Sequence, residues 1–114
     1  MAEGSAKDRL KAMNARHAAL AKAAPQPMGA FRNLMIEASK DGVLPAKFKE
    51  LVAVALAVHQ NCSDCILFHV ANARNHGASR EELAEVLGVA VEMGGGPSSV
   101  YAGHALAAFD ELEQ

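Results

Sequence analysis

The sequence predicts a single all-α domain of about six helices, and three observations carry this prediction. The composition is 51% hydrophobic but only 4% aromatic, and it is rich in alanine, leucine and valine, which suits closely packed helices better than strands. Apolar residues recur at helical spacing. Start and stop signals divide the chain into segments of helical length. With 114 residues the chain can bury one core but not two, so residues 1–114 are expected to form one domain.

Start and stop signals place the ends of the predicted helices. Pro25-Gln26-Pro27 is expected to stop the first helix and Asp41-Gly42 the second, while Pro45 suits the first turn of the third. Residues 79–82, SREE, form a capping box that opens the fifth helix, and the glycines at 94–96 end it in a tight interhelical turn. The predicted helices cover residues 5–24, 28–40, 45–60, 62–76, 79–93 and 97–114.

Leu51 to Val58 is an apolar run with no polar face. Periodicity alone would also permit a buried strand, but the residues that precede the run and its alternating alanines favour a helix. A helix that is apolar on all sides must be covered on all sides. A small domain seldom achieves this alone, so we expect a homo-oligomer.

Charge and hydropathy argue against several kinds of partner. The formal net charge of −2 leaves no basic field to attract phosphate, so neither nucleic acid nor an anionic membrane surface is expected as a partner. The first 20 residues carry charge throughout and lack a signal-type apolar stretch. The longest apolar run is too short to span a bilayer. We therefore expect a cytoplasmic protein without a membrane partner.

Both cysteines of the chain lie in one short segment, residues 59–69, HQNCSDCILFH. In a reducing compartment this spacing is typical of catalytic or metal-binding cysteines. If Asn61 caps a helix that starts at Cys62, then Cys62, Cys65 and His69 share one helix face. Free backbone amides at the helix start stabilise a thiolate there, and His69 can exchange a proton with Cys65. The segment therefore offers two sulfurs able to form a disulfide, with a base beside them.

Two other interpretations of the cysteine pair stay open at this point. Cysteines are often simply buried core residues. A structural zinc site could use Cys62, Cys65 and His69, with His59 or His76 as the fourth ligand. Structural zinc usually draws its second pair of ligands from a separate segment, however, and the chain has no second CxxC motif. We therefore expect neither a metal nor a cofactor.

Three further residues need an interpretation. Glu50 directly precedes the apolar run, where burial would make its carboxyl a usable proton acceptor. Taken alone, it is more simply a helix glutamate paired with Lys47 or Lys49. His17 is expected to face solvent, while Tyr101 is expected to take part in packing or in an interface.

The ordered set of these motifs resembles the alkylhydroperoxidase D-like group of the carboxymuconolactone decarboxylase family. The resemblance covers about residues 31–112, so the first helix, within residues 1–27, lies outside it. The matching features are Glu50, the Cys62-Ser63-Asp64-Cys65 motif, His69, residues 77–82 (GASREE) and residues 93–97 (MGGGP).

The resemblance implies an all-helical homo-oligomer, a trimer or hexamer, that acts as a thiol-dependent peroxidase or disulfide reductase without a cofactor. It makes Cys62 and Cys65 the redox pair and adds Glu50 and His69 as a proton relay. The implied partners are a peroxide and a dithiol or protein-thiol reductant. The decarboxylase branch lacks the cysteine pair, so its lactone chemistry is not implied.

Asp64 departs from the pattern, because the best-known peroxidase branch has a histidine at this position. A carboxylate beside the sulfurs should oppose thiolate formation and weaken peroxidase activity. The attacking sulfur also stays open, since the nearness of His69 favours Cys65 and the helix start favours Cys62. The alternatives to an enzyme are a redox-sensing or partner-binding protein without efficient turnover, and a zinc-stabilised structural domain.

Overall fold

The computed structural model describes residues 4–113, and this part of the chain contains six α-helices joined by short loops. The predicted all-α fold of about six helices is confirmed. The helices are α1 (Ala6–Ala23), α2 (Pro25–Ser39), α3 (Ala46–His59), α4 (Ser63–Asn75), α5 (Arg80–Gly94) and α6 (Gly96–Leu112).

The core lies between α3, α4, α5 and α6, and α3 is its central helix. The apolar run of α3 contacts each of the other three, whereas α1 packs on α4 and α6 from outside. This explains why α3 is apolar over so much of its surface. The largest fully buried side chains are Val54, Val58, Leu67, Val70, Leu83 and Ser98.

Part of the apolar surface stays uncovered within one chain. Val52 and Leu56 lie one turn apart on α3 and are 40% and 57% exposed. Within α2, whose residues are all described, no side chain is buried, and Phe31 and Leu34 face outward. Two neighbouring helices therefore carry apolar side chains that this chain does not cover.

The predicted capping box is present at the start of α5. Ser79 Oγ accepts a hydrogen bond from the Glu82 amide at 3.0 Å, and Glu82 Oε1 accepts one from the Ser79 amide at 2.9 Å. Glu82 also accepts a hydrogen bond from Lys47 Nζ at 3.0 Å, which ties α5 to α3. The Ser79 amide, followed by the Lys47 ammonium, lowers the pKa of Glu82. In the same way, the Arg80 guanidinium lowers the pKa of Asp110 on α6.

Two of the predicted helix starts are wrong by a few residues. We predicted that Pro25 and Pro27 separate α1 from α2, but α2 begins at Pro25 and contains both prolines in its first turn. A proline fits there because amides of the first turn have no partner within the helix. Pro45 is the N-cap of α3 and not part of its first turn, and the Ala46 amide donates to Asp41 Oδ1 at 2.6 Å.

The glycines between α5 and α6 form the tight turn that the sequence predicts. Gly95 has a φ of +72°, which suits glycine. A Cβ on Gly94 would collide with the side chain of buried Ser98 and come within 3.1 Å of His59 Nδ1. The exposed His59 therefore lies against this turn.

None of the helices in residues 4–113 has the length and apolar character needed to cross a bilayer.

Candidate redox site

The loop between α3 and α4 places the first cysteine at the start of α4. Asn61 has a φ of +57°, in the left-handed region that asparagine tolerates better than most residues. Our prediction that Asn61 caps α4 is therefore wrong, because this residue turns the chain instead. Cys62 is the N-cap, and its Sγ accepts a hydrogen bond from the Cys65 amide at 3.3 Å.

Cys62 and Cys65 are joined by a disulfide, with their Cα atoms 5.2 Å apart. Both residues are partly buried and lie in the first turn of α4. The structure thus brings the two predicted sulfurs together at a helix N-terminus. The free amides there stabilise negative charge, so a thiolate formed on reduction would be favoured.

Glu50 and His69 form a hydrogen-bonded pair across the interface between α3 and α4. Glu50 Oε1 lies 2.8 Å from His69 Nδ1, and Glu50 is only 5% exposed. The interpretation of Glu50 as a partner of Lys47 or Lys49 is wrong. Lys47 pairs with Glu82, and Lys49 Nζ donates to the Lys40 carbonyl at 2.7 Å. When Nδ1 of His69 donates to the carboxylate, Nε2 is the ring nitrogen that can accept a proton.

A pocket of about 530 Å³ lies between α1, α2 and α4, with Cys65 and His69 in its wall. Its volume lies within the range of roughly 300–1,000 Å³ that is typical of small-molecule sites. The sequence did not indicate this pocket, because two of its walls come from α1 and α2. Its apolar lining includes Met13, Ala18, Met28, Phe31, Met35 and Phe68.

His69 also borders a second, smaller pocket of about 260 Å³ on the side of Glu50. Met35, Phe68 and His69 line both pockets and therefore stand between them. His69 thus borders the pocket that contains Cys65, while Glu50 lines the second pocket. This arrangement suits proton transfer between the cysteine pocket and the Glu50 side.

Asp64, the departure from the family pattern, is paired with a cation. Arg16 on α1 donates from its guanidinium to Asp64 Oδ2 at 3.1 Å. From the sequence we expected Asp64 to oppose thiolate formation, since no partner for its carboxylate was apparent. The pairing with Arg16 offsets part of that charge.

His17 and Tyr101, the other two residues that the sequence drew attention to, are not part of the cysteine motif. His17 is exposed, as expected, but it also lines the large pocket, which the sequence did not indicate. Tyr101 packs partly against the core and makes an edge contact with His104, with ring centroids 5.7 Å apart.

His59 and His76, the candidates for a fourth zinc ligand, do not join Cys62, Cys65 and His69 in the described structure. His76 lies at the far end of α4, where its Nδ1 is 2.8 Å from the Asn72 carbonyl oxygen, and His59 lies beside Gly94. Within residues 4–113, no group of three or more histidine, cysteine, aspartate or glutamate side chains is placed to hold a metal ion. This distribution of side chains argues against the zinc-stabilised alternative.

The model of the carboxymuconolactone decarboxylase family matches residues 23–111. The chain belongs to this family. Its fold is the alkylhydroperoxidase D-like fold that the resemblance implied. The match begins at the end of α1, so that most of α1 lies outside the family model.

Relatives and solved structures agree with this assignment. An uncharacterised protein of Cupriavidus necator is 54% identical over 106 residues, which are 93% of this chain and 94% of the relative. A carboxymuconolactone decarboxylase family protein from Legionella pneumophila has a TM-score of 0.92 at 45% identity, covering 96% of this chain and 97% of that one. A family member from Thermotoga maritima, for which a role in an antioxidative response has been suggested, has a TM-score of 0.72 at 31% identity. The match covers 77% of this chain and 75% of that one.

The buried pair of Glu50 and His69 can be tested through stability. Replacing Glu50 by alanine leaves the His69 Nδ1–H without its acceptor, which should lower the free energy of unfolding by about 1–3 kcal/mol. Glu50→Gln retains an acceptor and should cost less. Glu85→Ala, at an exposed position on α5, is the control and should change stability by no more than about 0.5 kcal/mol. The measurement is urea unfolding, and an equal effect of Glu50→Ala and Glu85→Ala would contradict the pairing.

Proposed function

We propose that this chain is a thiol-dependent peroxidase that uses Cys62 and Cys65 as its redox pair. The observation that carries the proposal is that Cys65 and His69 line one pocket, with Cys65 bonded to Cys62 and His69 hydrogen-bonded to Glu50. Membership of the family supports it, as does the antioxidative role suggested for the relative from Thermotoga maritima. The chemistry needs no cofactor, because a peroxide is the oxidant and an external dithiol is the reductant.

The reaction has three balanced steps. A cysteine thiolate attacks the O–O bond of the peroxide, which breaks to give a sulfenic acid, and the other oxygen leaves as an alcohol or water after taking up a proton. The second cysteine thiol condenses with the sulfenic acid, forming the disulfide and releasing water. An external dithiol then reduces the disulfide by thiol exchange and is itself oxidised to a disulfide.

The position of Cys65 favours this residue as the attacking sulfur. Cys65 lines the large pocket together with His69, which lies four residues further along the same helix, whereas Cys62 is the N-cap at the junction with α3. Cys62 is then the sulfur that condenses with the sulfenic acid.

His69 and Glu50 act as the proton relay in this proposal. The imidazole accepts the Cys65 proton, and the carboxylate of Glu50 stabilises the imidazolium that results. The same proton then passes to the leaving oxygen. General acid–base assistance of this kind contributes about 10²–10⁴-fold to a rate.

The lining of the pocket favours an organic hydroperoxide over hydrogen peroxide. Met28, Phe31 and Phe68 offer an apolar surface that hydrogen peroxide would not use. An alkyl or aryl group in the pocket would place its peroxide oxygen beside Cys65.

The exposed apolar side chains support a homo-oligomer as the working form. Leu34 and Leu56 project from α2 and α3 without cover from their own chain. Because the chain resembles this family, we propose that it forms a trimer or a hexamer. A cycle that depends on a dithiol needs a reducing compartment, so we also propose a cytoplasmic location.

Cysteine variants test the paired mechanism. With cumene hydroperoxide and dithiothreitol, Cys62→Ser and Cys65→Ser should both lose multiple turnover, because neither can form the intramolecular disulfide. After one addition of peroxide without reductant, Cys62→Ser should carry a sulfenic acid that reacts with dimedone, as detected by mass spectrometry, and Cys65→Ser should not.

Full multiple turnover by either variant would overturn the paired mechanism. A sulfenic acid on Cys65→Ser alone would instead identify Cys62 as the attacking sulfur. If the wild-type protein is oxidised but never turns over, the chain is a redox-responsive protein and the peroxidase proposal fails.

A substitution that fills the pocket tests the substrate class. Ala18→Phe projects a ring from α1 into the pocket and should lower kcat/KM for cumene hydroperoxide by about tenfold or more, the range expected for losing an apolar contact. The value for hydrogen peroxide should change little. Ala19→Phe, at the next position of α1 and outside the pocket lining, is the control. An equal loss for both peroxides would contradict binding of an apolar substrate in this pocket.

A further inference from the structure

We propose that Arg16 is a positioning residue for the redox pair: by binding Asp64 it holds a positive charge beside the cysteines and raises the thiolate fraction of the reduced pair. This inference deepens the proposed function and rests on the cysteine pair being redox-active. Arg16 lies in α1, outside the residues that match the family model.

The first turn of α4 crowds three groups that can carry negative charge. Cys62 is the N-cap, Asp64 is the second residue of the helix and Cys65 is the third. A carboxylate at this position uses the same free amides and the same positive helix end that would stabilise a thiolate. Asp64 also repels a thiolate as a like charge. Without compensation, Asp64 would therefore make the thiols harder to ionise.

Arg16 supplies the compensation. Its guanidinium lies 3.1 Å from Asp64 Oδ2, and the two side chains are 63% and 54% exposed. Exposed pairs of this kind contribute little to stability, about 0–1 kcal/mol. The effect that remains is electrostatic: the guanidinium binds the carboxylate of a residue that adjoins Cys65 and lies two positions after Cys62.

The position of α1 holds Arg16 over the motif. Met13, one turn before Arg16, is 4% exposed, and α1 packs on α4. At the start of the helix, Ala6 is fully buried and its amide donates to Glu111 Oε1 on α6 at 2.9 Å. Because α1 is fixed at both points, the guanidinium is aimed at the start of α4 by packing as well as by its charge.

The size of the effect follows from Coulomb's law. One unit charge several ångströms from a thiolate near the surface changes the thiolate population about two- to fivefold. Other charged or titratable groups also surround the cysteines, and the test has to separate Arg16 from them. Those that line the pocket or pair with its lining residues are His17 on α1, Arg32 on α2, Glu50 on α3, and Asp64 and His69 on α4.

The test is the pH dependence of iodoacetamide alkylation of the reduced full-length protein. Arg16→Gln should move the midpoint of the rate profile to higher pH and slow alkylation below the midpoint by about two- to fivefold. Arg16→Lys keeps the charge and should retain most of the wild-type rate. Asp64→Asn should move the midpoint to lower pH. Lys11→Gln, which removes an exposed positive charge elsewhere on α1, is the matched control and should leave the profile unchanged.

Salt separates an electrostatic role from a structural one. At 1 M salt the screening length falls to about 3 Å, so the difference between Arg16→Gln and wild type should shrink. A profile of Arg16→Gln that coincides with wild type at low salt would overturn the inference, and so would a difference that salt does not reduce. If Arg16→Gln fails to fold, the Arg16→Lys and Asp64→Asn profiles decide, and an unshifted Asp64→Asn profile would overturn the inference.

The outcome can be distinguished from a failure of the proposed function, because alkylation requires no peroxide. A shifted profile in a protein that reduces no peroxide would remove the peroxidase proposal and leave the role of Arg16 intact. An active peroxidase whose Arg16→Gln variant has an unshifted alkylation profile would leave the peroxidase proposal intact and overturn the role of Arg16.

Discussion

The hydrogen bond between Glu50 and His69 is the constraint on which the site depends. A buried carboxylate needs a partner, and Glu50 finds it on the neighbouring helix at 2.8 Å. This pairing fixes the register of α3 against α4. Because Cys65 lies one turn before His69 on α4, the two side chains line one pocket, and Glu50 meets His69 from the side of the second pocket. The two helices also pack on each other, and Val58 of α3 and Val70 of α4 belong to the same buried core, which helps to hold that register in place.

The start of α4 determines the surroundings of the two sulfurs. The chain leaves α3 through Asn61 in a left-handed conformation, and α4 begins directly after Cys62. Both sulfurs are therefore placed where backbone amides favour negative charge. Asp64 competes for the same field, and Arg16 from α1 offsets it. In our account, the reactivity of the pair is thus set jointly by a helix within the family model and by one that lies outside it.

Local signals in the sequence were sufficient to predict most of the fold. The capping box at Ser79 depends on neighbouring residues and was predicted correctly. The cysteine pair was placed on one helix turn for the same reason. Proline signals misled at Pro25, since a proline is compatible both with a break and with a first helical turn.

The features that could not be predicted depend on which helices meet. Glu50 had two lysines nearby in sequence, yet its partner is 19 residues away on another helix. Arg16 and Asp64 are 48 residues apart, and no periodic pattern links them. The pocket likewise needs α1 and α2 to lie across α4. Such contacts follow from tertiary packing, whereas spacing along the chain indicates only which side chains share a helix face.

We propose that peroxide converts the two thiols of one chain into an intramolecular disulfide. The most direct measurement is the intact mass of the reduced protein after one equivalent of cumene hydroperoxide, taken under nonreducing and reducing conditions. The account predicts a loss of about 2 Da per chain, the mass of two hydrogens, which dithiothreitol reverses. An unchanged mass, or a disulfide that links two chains, would contradict it.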